Sequence, residues 1–174
     1  MHKTERVPAT ALGLTAAIVA AWIGYEGFSA TPHIPTQGDV PTIGHGATHY
    51  EDGQRVTLAD PPITRQRAQE LAANLLRDNY VDCVQRSLAS ALIHPIEFDQ
   101  AVDFAGQYGC ARWWGSSMRK SYIAGNYRSA CNAYLLYKFA AGYDCSTPGN
   151  RRCSGVWTRQ LQRHAACSAV ADTP

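Results

Sequence analysis

Three residues in the first third of the chain, Glu26, Asp39 and Thr42, have the types and order that acid/base chemistry needs. Glu26 stands where an uncharged, apolar stretch ends, and Asp39 follows Gly38 in a turn. Thr42 opens the segment TIGHG, in which Thr42 and Ile43 read as strand while Gly44 and Gly46 permit a tight turn. A glutamic acid kept protonated by apolar or acidic surroundings can protonate a glycosidic oxygen. A second carboxylate with a hydroxyl beside it can stabilise oxocarbenium charge or place the attacking water. Both acids also have a plainer reading: Glu26 as a solvated helix-end acid, and Asp39 as a turn former.

Other chemistries find fewer partners. His33, His45 and His49 raise a zinc amidase or peptidase, which needs two or three such ligands and a nearby glutamate base. His45 and His49 are four residues apart, but they fall in a turn and strand region and not on one helical face. There is no C-x-x-C pair, no G-x-S-x-G elbow, and no phosphate-loop or dinucleotide fingerprint. Trp113 and Trp114, beside Arg112, can line a saccharide groove by stacking or can pack in a core.

The elements that would position these groups begin with an unusual N-terminus. After Lys3 and Arg6, no charge appears until Glu26. The stretch from Val7 to Tyr25 would span about 28 Å as a helix, near the roughly 30 Å of a hydrocarbon core. It is rich in Ala, Gly and Thr, which insert weakly. It can be a cleaved signal with Val19-Ala20-Ala21 before Trp22, a permanent anchor, or an anchor that is later released. Its abutment on Glu26 favours the last, because a helix in the bilayer would hold the candidate acid at the membrane surface.

The remainder reads as one folded domain within 174 residues, 45% of them hydrophobic and 17% charged. Residues 1–111 hold 7 Lys/Arg against 12 Asp/Glu, and residues 112–174 hold 9 against 2. The basic C-terminal part suits an anionic partner such as cell-wall polymer or lipid head groups. Thr64 is placed to cap a long helix, Pro95 to start a second, and Ser116 or Ser117 a short one. Tyr127 to Ala141 reads as a further helix closed by Gly142, and Ser154 as the cap of the last. Six cysteines, all beyond the apolar stretch, point to three disulfides and an oxidising compartment, with Cys145–Cys153 as the local pair.

The segments YEGF and PTIGHGATHYEDG resemble the active site of the phage lysozymes of glycoside hydrolase family 24. The likeness continues in FDQAVDFAGQYGC, RKSYIAGNYRSACNAYLLYKFAAG and GVWTRQLQRHAAC, covering roughly residues 24 to 167. It implies an α+β, lysozyme-like fold with a small hairpin-bearing lobe, a larger helical lobe and a cleft between them. It implies hydrolysis of the β-1,4 bond between N-acetylmuramic acid and N-acetylglucosamine in peptidoglycan, without a cofactor, metal or nucleic acid, by a monomer that lyses the host. Glu26, Asp39 and Thr42 take the catalytic roles, and His45, Gln107, Tyr108 and Trp113 the substrate-binding ones. His45 occupies a position where relatives often have an aromatic or aliphatic residue, which favours packing or hydrogen bonding over catalysis.

One departure stands out. The family commonly has its aspartate nine positions after the glutamate, where this chain has Pro35. Asp39 is the one carboxylate between Glu26 and Thr42, so the second-carboxylate role passes to it, and the hairpin is longer or differently registered. Residues 1–24 are expected to form a signal-anchor segment that tethers the chain to the inner membrane before release. Residues 25–174 are expected to form the catalytic domain, exported to the periplasm. A lytic transglycosylase, a non-enzymatic cell-wall or membrane-binding protein, and a membrane-disrupting protein are the alternatives.

Overall fold

The structure is a computed structural model that describes residues 5–36 and 38–173, apart from the side chains of Tyr25 and Glu26. The apolar N-terminal stretch is not one helix. Pro8 cannot donate a backbone hydrogen bond, and Gly13 and Thr15 interrupt the helical run. Val7–Pro8 forms a short strand, β1, followed by a single 3-10 turn at Ala9–Ala11. Helix α1 spans Ala16–Glu26, and the Thr15 hydroxyl caps it by accepting from the Ile18 N–H. At 11 residues α1 is about 16 Å long. No helix among the described residues is long and apolar enough to cross a membrane.

Strands β2 (Ser29–His33) and β3 (Thr42–Gly44) form an antiparallel hairpin, and α2 (Arg65–Leu76) follows with the expected Thr64 cap, 3.1 Å from the Arg67 N–H. The predicted long helix then widens into a π-helical turn at Arg77–Val81 before α3 (Asp82–Leu88). Strand β4 (Leu92–Ile93) precedes α4 (Pro95–Tyr108). The His94 ring accepts from the Ile96 N–H, and Glu97 reaches back to the His94 N–H, so both ends of a capping box are made. Helices α5 (Cys110–Trp114), α6 (Ser117–Ile123, capped by Ser116) and α7 (Tyr127–Ala133) continue the chain.

The helix expected over Tyr127 to Ala141 stops early. After a 3-10 turn at Tyr134–Leu136, β5 (Phe139–Ala140) and β6 (Tyr143–Asp144) form a two-residue hairpin through Ala141 and Gly142. Both loop residues have positive φ, +49° and +82°, the pairing that matches the twist of a tight hairpin. The last helix, α8 (Ser154–Ser168), starts where expected, but Cys153 holds the cap position and no side chain caps the first turn. Helices thus dominate, and the described residues form three separate two-stranded antiparallel sheets, β1–β4, β2–β3 and β5–β6.

The chain divides into two compact units. One comprises residues 13–82, with a core of Ile43, Ala47, Val56 and Leu71 onto which Tyr50, Ile63 and Leu75 pack. The other comprises residues 1–12 and 83–174. Its centre is α4, whose Phe98, Ala101, Val102, Phe104 and Ala105 are all fully buried. Because α4 is enclosed, its acids need partners. Asp103 accepts from Arg159 Nη2 at 2.6 Å and from Arg163 Nε at 2.6 Å. Glu97 is gripped by Arg6 through Nη2 at 2.8 Å and Nε at 3.2 Å. Disulfides join Cys83 to Cys110, Cys131 to Cys167 and, as expected, Cys145 to Cys153.

Candidate active site

The candidate site lies in the unit formed by residues 13–82. Glu26 is the last residue of α1, and Gly27, with φ +70°, turns the chain out of the helix. That backbone region is open to glycine at little cost. The side chain of Glu26 lies outside the described residues. Phe28 and β2 follow, so the acid sits one turn of backbone ahead of the hairpin.

The hairpin is irregular. Ser29 pairs with Gly44 and His33 with Thr42, so four steps along β2 run against two along β3. Residues 34–41 connect the two strands. Thr42 is buried, and its hydroxyl donates to the His33 carbonyl at 3.4 Å. Beside it opens a pocket of about 380 Å³ lined by Phe28, Ser29, His33, Pro35 and Thr42 among others. Pro35, nine positions after Glu26, is therefore on the wall. Asp39 is exposed on the connecting loop, its N–H bonded to the Thr36 carbonyl at 2.9 Å, and it does not line this pocket.

Beyond β3 the chain reverses sharply. Ile43 and Ala47 exchange both backbone hydrogen bonds, at 2.9 and 3.0 Å, leaving Gly44, His45 and Gly46 as the loop. Gly44 and Gly46 have φ of +65° and +79°. Gly44 is also tightly packed, because a Cβ there would lie 3.0 Å from the Ala68 Cβ of α2. His45 is consequently turned inward, only 5% exposed. Its Nδ1 hydrogen-bonds the Gly27 carbonyl, its ring leans on Phe28 at 5.7 Å, and its Nε2 is buried without a partner.

The other unit holds the remaining sequence candidates. Trp113 is a correction: it is fully buried, with Nε1 donating to Ser87 Oγ at 2.7 Å and the ring among Phe104 and Tyr122. Neither face is open for a sugar, whereas its neighbour Trp114 is 45% exposed. Tyr108 is half-buried, stacked on Phe104 at 4.6 Å, and its hydroxyl accepts from Gln160 Nε2 at 3.0 Å. Burial raises the Tyr108 phenol above its ordinary value. Gln107 Oε1 is buried and has no partner.

The histidines raised for zinc do not gather. Among the described residues, one trio could place ligand atoms together, Glu97, Cys131 and Cys167. Both of its cysteines are joined in a disulfide, and its carboxylate pairs with Arg6. Phe28 and Arg65 were not singled out by sequence, and His33 was raised only as a metal ligand and not as a residue of the pocket beside Thr42. The Arg65 guanidinium lies 4.3 Å from the centre of the Phe28 ring, and the YEGF motif was the available signal for that aromatic.

Residues 23–163 match the family described as phage lysozyme. Among solved structures, a mutant of the lysozyme of phage P22 aligns with a TM-score of 0.71 at 21% identity, covering 90% of this chain and 99% of that one. The active form of the phage P1 endolysin Lyz aligns at 0.68 and 19%, covering 89% and 85%. An endolysin from the Escherichia coli O157:H7 phage FAHEc1 aligns at 0.66 and 19%, covering 94% and 97%. No curated protein matches the chain. These neighbours share the α+β fold anticipated from the sequence, and the family match runs from the last turns of α1 through the hairpin and into α8. The chain belongs to the phage lysozyme family, the peptidoglycan-hydrolysing glycosidases of phage endolysins.

Proposed function

We propose that this lysozyme cleaves the β-1,4 bond between N-acetylmuramic acid and N-acetylglucosamine with Glu26 as general acid. The observation that carries the assignment is the placement of Glu26 at the end of α1, directly ahead of a hairpin whose Thr42 lines a pocket. Protonation of the bridging oxygen by Glu26 releases one sugar, while Thr42 positions the water that attacks the anomeric carbon. Asp39 supplies the second carboxylate from the exposed loop, since no other acid occurs between Glu26 and Glu51. The test is digestion of purified peptidoglycan by wild type, Glu26→Gln, Asp39→Asn and Thr42→Val, with mass spectrometry of the fragments. Wild type should yield reducing-end muramic acid, and Glu26→Gln should yield almost none. Anhydro-muramic ends would instead indicate a lytic transglycosylase. Full activity in Asp39→Asn would remove that residue from the mechanism.

The N-terminal segment, residues 1–24, acts as an inner-membrane anchor that is later released, leaving residues 25–174 as a monomeric periplasmic enzyme. Helix α1 supports this reading: AAIVAAWIGYE has no polar face, yet among its described side chains Ile18 alone is buried. A surface helix normally carries a polar face, and one without it suits lipid. Arg6 adds a second argument. It is 8% exposed, paired with Glu97, bonded to the Val170 and Ala171 carbonyls, and 3.6 Å from the centre of the Tyr127 ring. A chain crossing the bilayer at residues 7–25 would strand Arg6 on the far side from Glu97. The described fold therefore suits the released form. Collapse of the membrane potential should move full-length chain from the membrane to the soluble fraction, and a fragment beginning near Trp22 would mean cleavage instead.

A further inference from the structure

We infer that His45 is a positioning residue for the general acid, and not a sugar-binding one, through its hydrogen bond to the Gly27 carbonyl. The inference rests on Glu26 being that acid. The carbonyls that follow the last turn of a helix have no intrahelical donor and need one from elsewhere. Gly27 is the residue after α1, and its carbonyl receives the His45 ring, 18 residues away in sequence. A carbonyl only accepts, so Nδ1 carries the proton. His45 thereby caps α1 from the hairpin and fixes the peptide next to Glu26.

The surroundings of His45 leave it little freedom. Gly44 and Gly46 on either side are in the left-handed region, which turns the ring inward, and Gly44 is pressed against Ala68 of α2. Phe28, one residue beyond the accepted carbonyl, covers the ring and is itself covered by Arg65. Thr42 lies three residues before His45 on the same strand and loop. One imidazole thus ties the backbone of the acid to the segment that carries the water-placing hydroxyl. A displacement of about 1 Å in such a group costs roughly 100-fold in rate. At 5% exposure, the ring has almost no surface to offer a saccharide.

The test compares three substitutions in the full chain on soluble peptidoglycan fragments, with Glu26→Gln in parallel. His45→Phe keeps a ring against Phe28 but removes the donor. His45→Asn restores an N–H at the same number of bonds from the backbone as Nδ1, and His45→Gln moves it one bond further out. The Phe variant should lose about 10- to 100-fold in kcat with KM within about twofold. The Asn variant should recover to within a few-fold of wild type, and the Gln variant should not. Thermal unfolding of each variant separates loss of fold from loss of position, since a purely structural role would lower Tm without changing kcat per folded molecule. Wild-type kcat in His45→Phe, equal losses in Asn and Phe, or a change confined to KM would each overturn the inference while Glu26→Gln stays inactive. An active Glu26→Gln would overturn the acid assignment, and the role given to His45 with it.

Discussion

Residues 83–174, with the first twelve, contain three disulfides and two sets of buried ion pairs, whereas residues 13–82, which carry Glu26, contain no cysteine. The first unit is braced by covalent bonds and by charges placed far apart in sequence, such as Arg6 with Glu97 and Arg163 with Asp103. The second relies on backbone geometry: glycines at positive φ, one irregular hairpin and a small apolar core. Its clearest ion pair, Glu51 with Arg67, is at the surface. The candidate acid is therefore carried by the unit with the weaker bracing.

The contrast is broken most severely at Asp103. Replacing it by Asn removes the carboxylate that pairs with Arg163, 1% exposed, and with Arg159, 7% exposed. Removing one partner of a buried pair typically costs about 3–5 kcal/mol. Urea unfolding with the disulfides intact should show a loss of that size, and a loss below about 1 kcal/mol would mean the network braces little. Disulfide removal comes next. Closing loops of 36 and 8 residues implies about 4 kcal/mol for Cys131–Cys167 and about 2.5 kcal/mol for Cys145–Cys153. Paired Cys→Ala variants should fall in that order, with hydrolysis per folded molecule unchanged.

In the other unit a single methyl group should do what a lost disulfide does in the first. Gly44→Ala forces a non-glycine residue to φ +65° and brings its Cβ within 3.0 Å of Ala68. Strain and overpacking together should cost about 1–3 kcal/mol. Because the same strand carries Thr42 and leads to His45, kcat should fall further than stability accounts for. Equal activity per folded molecule would show that the hairpin tolerates a shift against α2.

What could be read from the sequence was what is local. Thr64, Ser116 and Pro95 announced helix starts, and the eight-residue spacing announced Cys145–Cys153, because each depends on neighbours a few residues away. The stretch from Tyr134 to Gly142 misled for the same reason. Its Leu, Lys and Ala favour helix one by one, and only the paired strands reveal the hairpin. Trp113 looked like a groove residue because burial by Phe104 and Tyr122 is not a sequence property. The motif placed Glu26 and Thr42 as candidates, and their positions, at the end of α1 and in β3, again follow from neighbours close in sequence. The bond from His45 to Gly27 and the pairing of Arg6 with Glu97 were not legible, since both depend on chain reversals.

The smallest expected effect sharpens the comparison at the surface of the weaker unit. Glu51 accepts from both terminal nitrogens of Arg67, at 2.7 and 2.6 Å, and from Asn74 at 3.0 Å. The Arg67 guanidinium, helped by Asn74, holds the Glu51 carboxyl at about 2, against an ordinary 4.5. A depressed acid contributes its full share of stability above its unfolded value and loses it as pH falls through the folded one. The contribution is thus intact above about 4.5 and gone below about 2. Since Arg67 is 39% exposed at its side chain, solvent screening limits the pair to about 1 kcal/mol or less. Glu51→Gln should lower stability by that amount at pH 6, and the gap from wild type should close as the pH is taken from 4.5 toward 2. A gap that instead stayed constant would mean the lost hydrogen bonds matter and the charge does not. In either case the effect stays well below that of Asp103→Asn, because one pair is hydrated and the other is enclosed by α4 and α8.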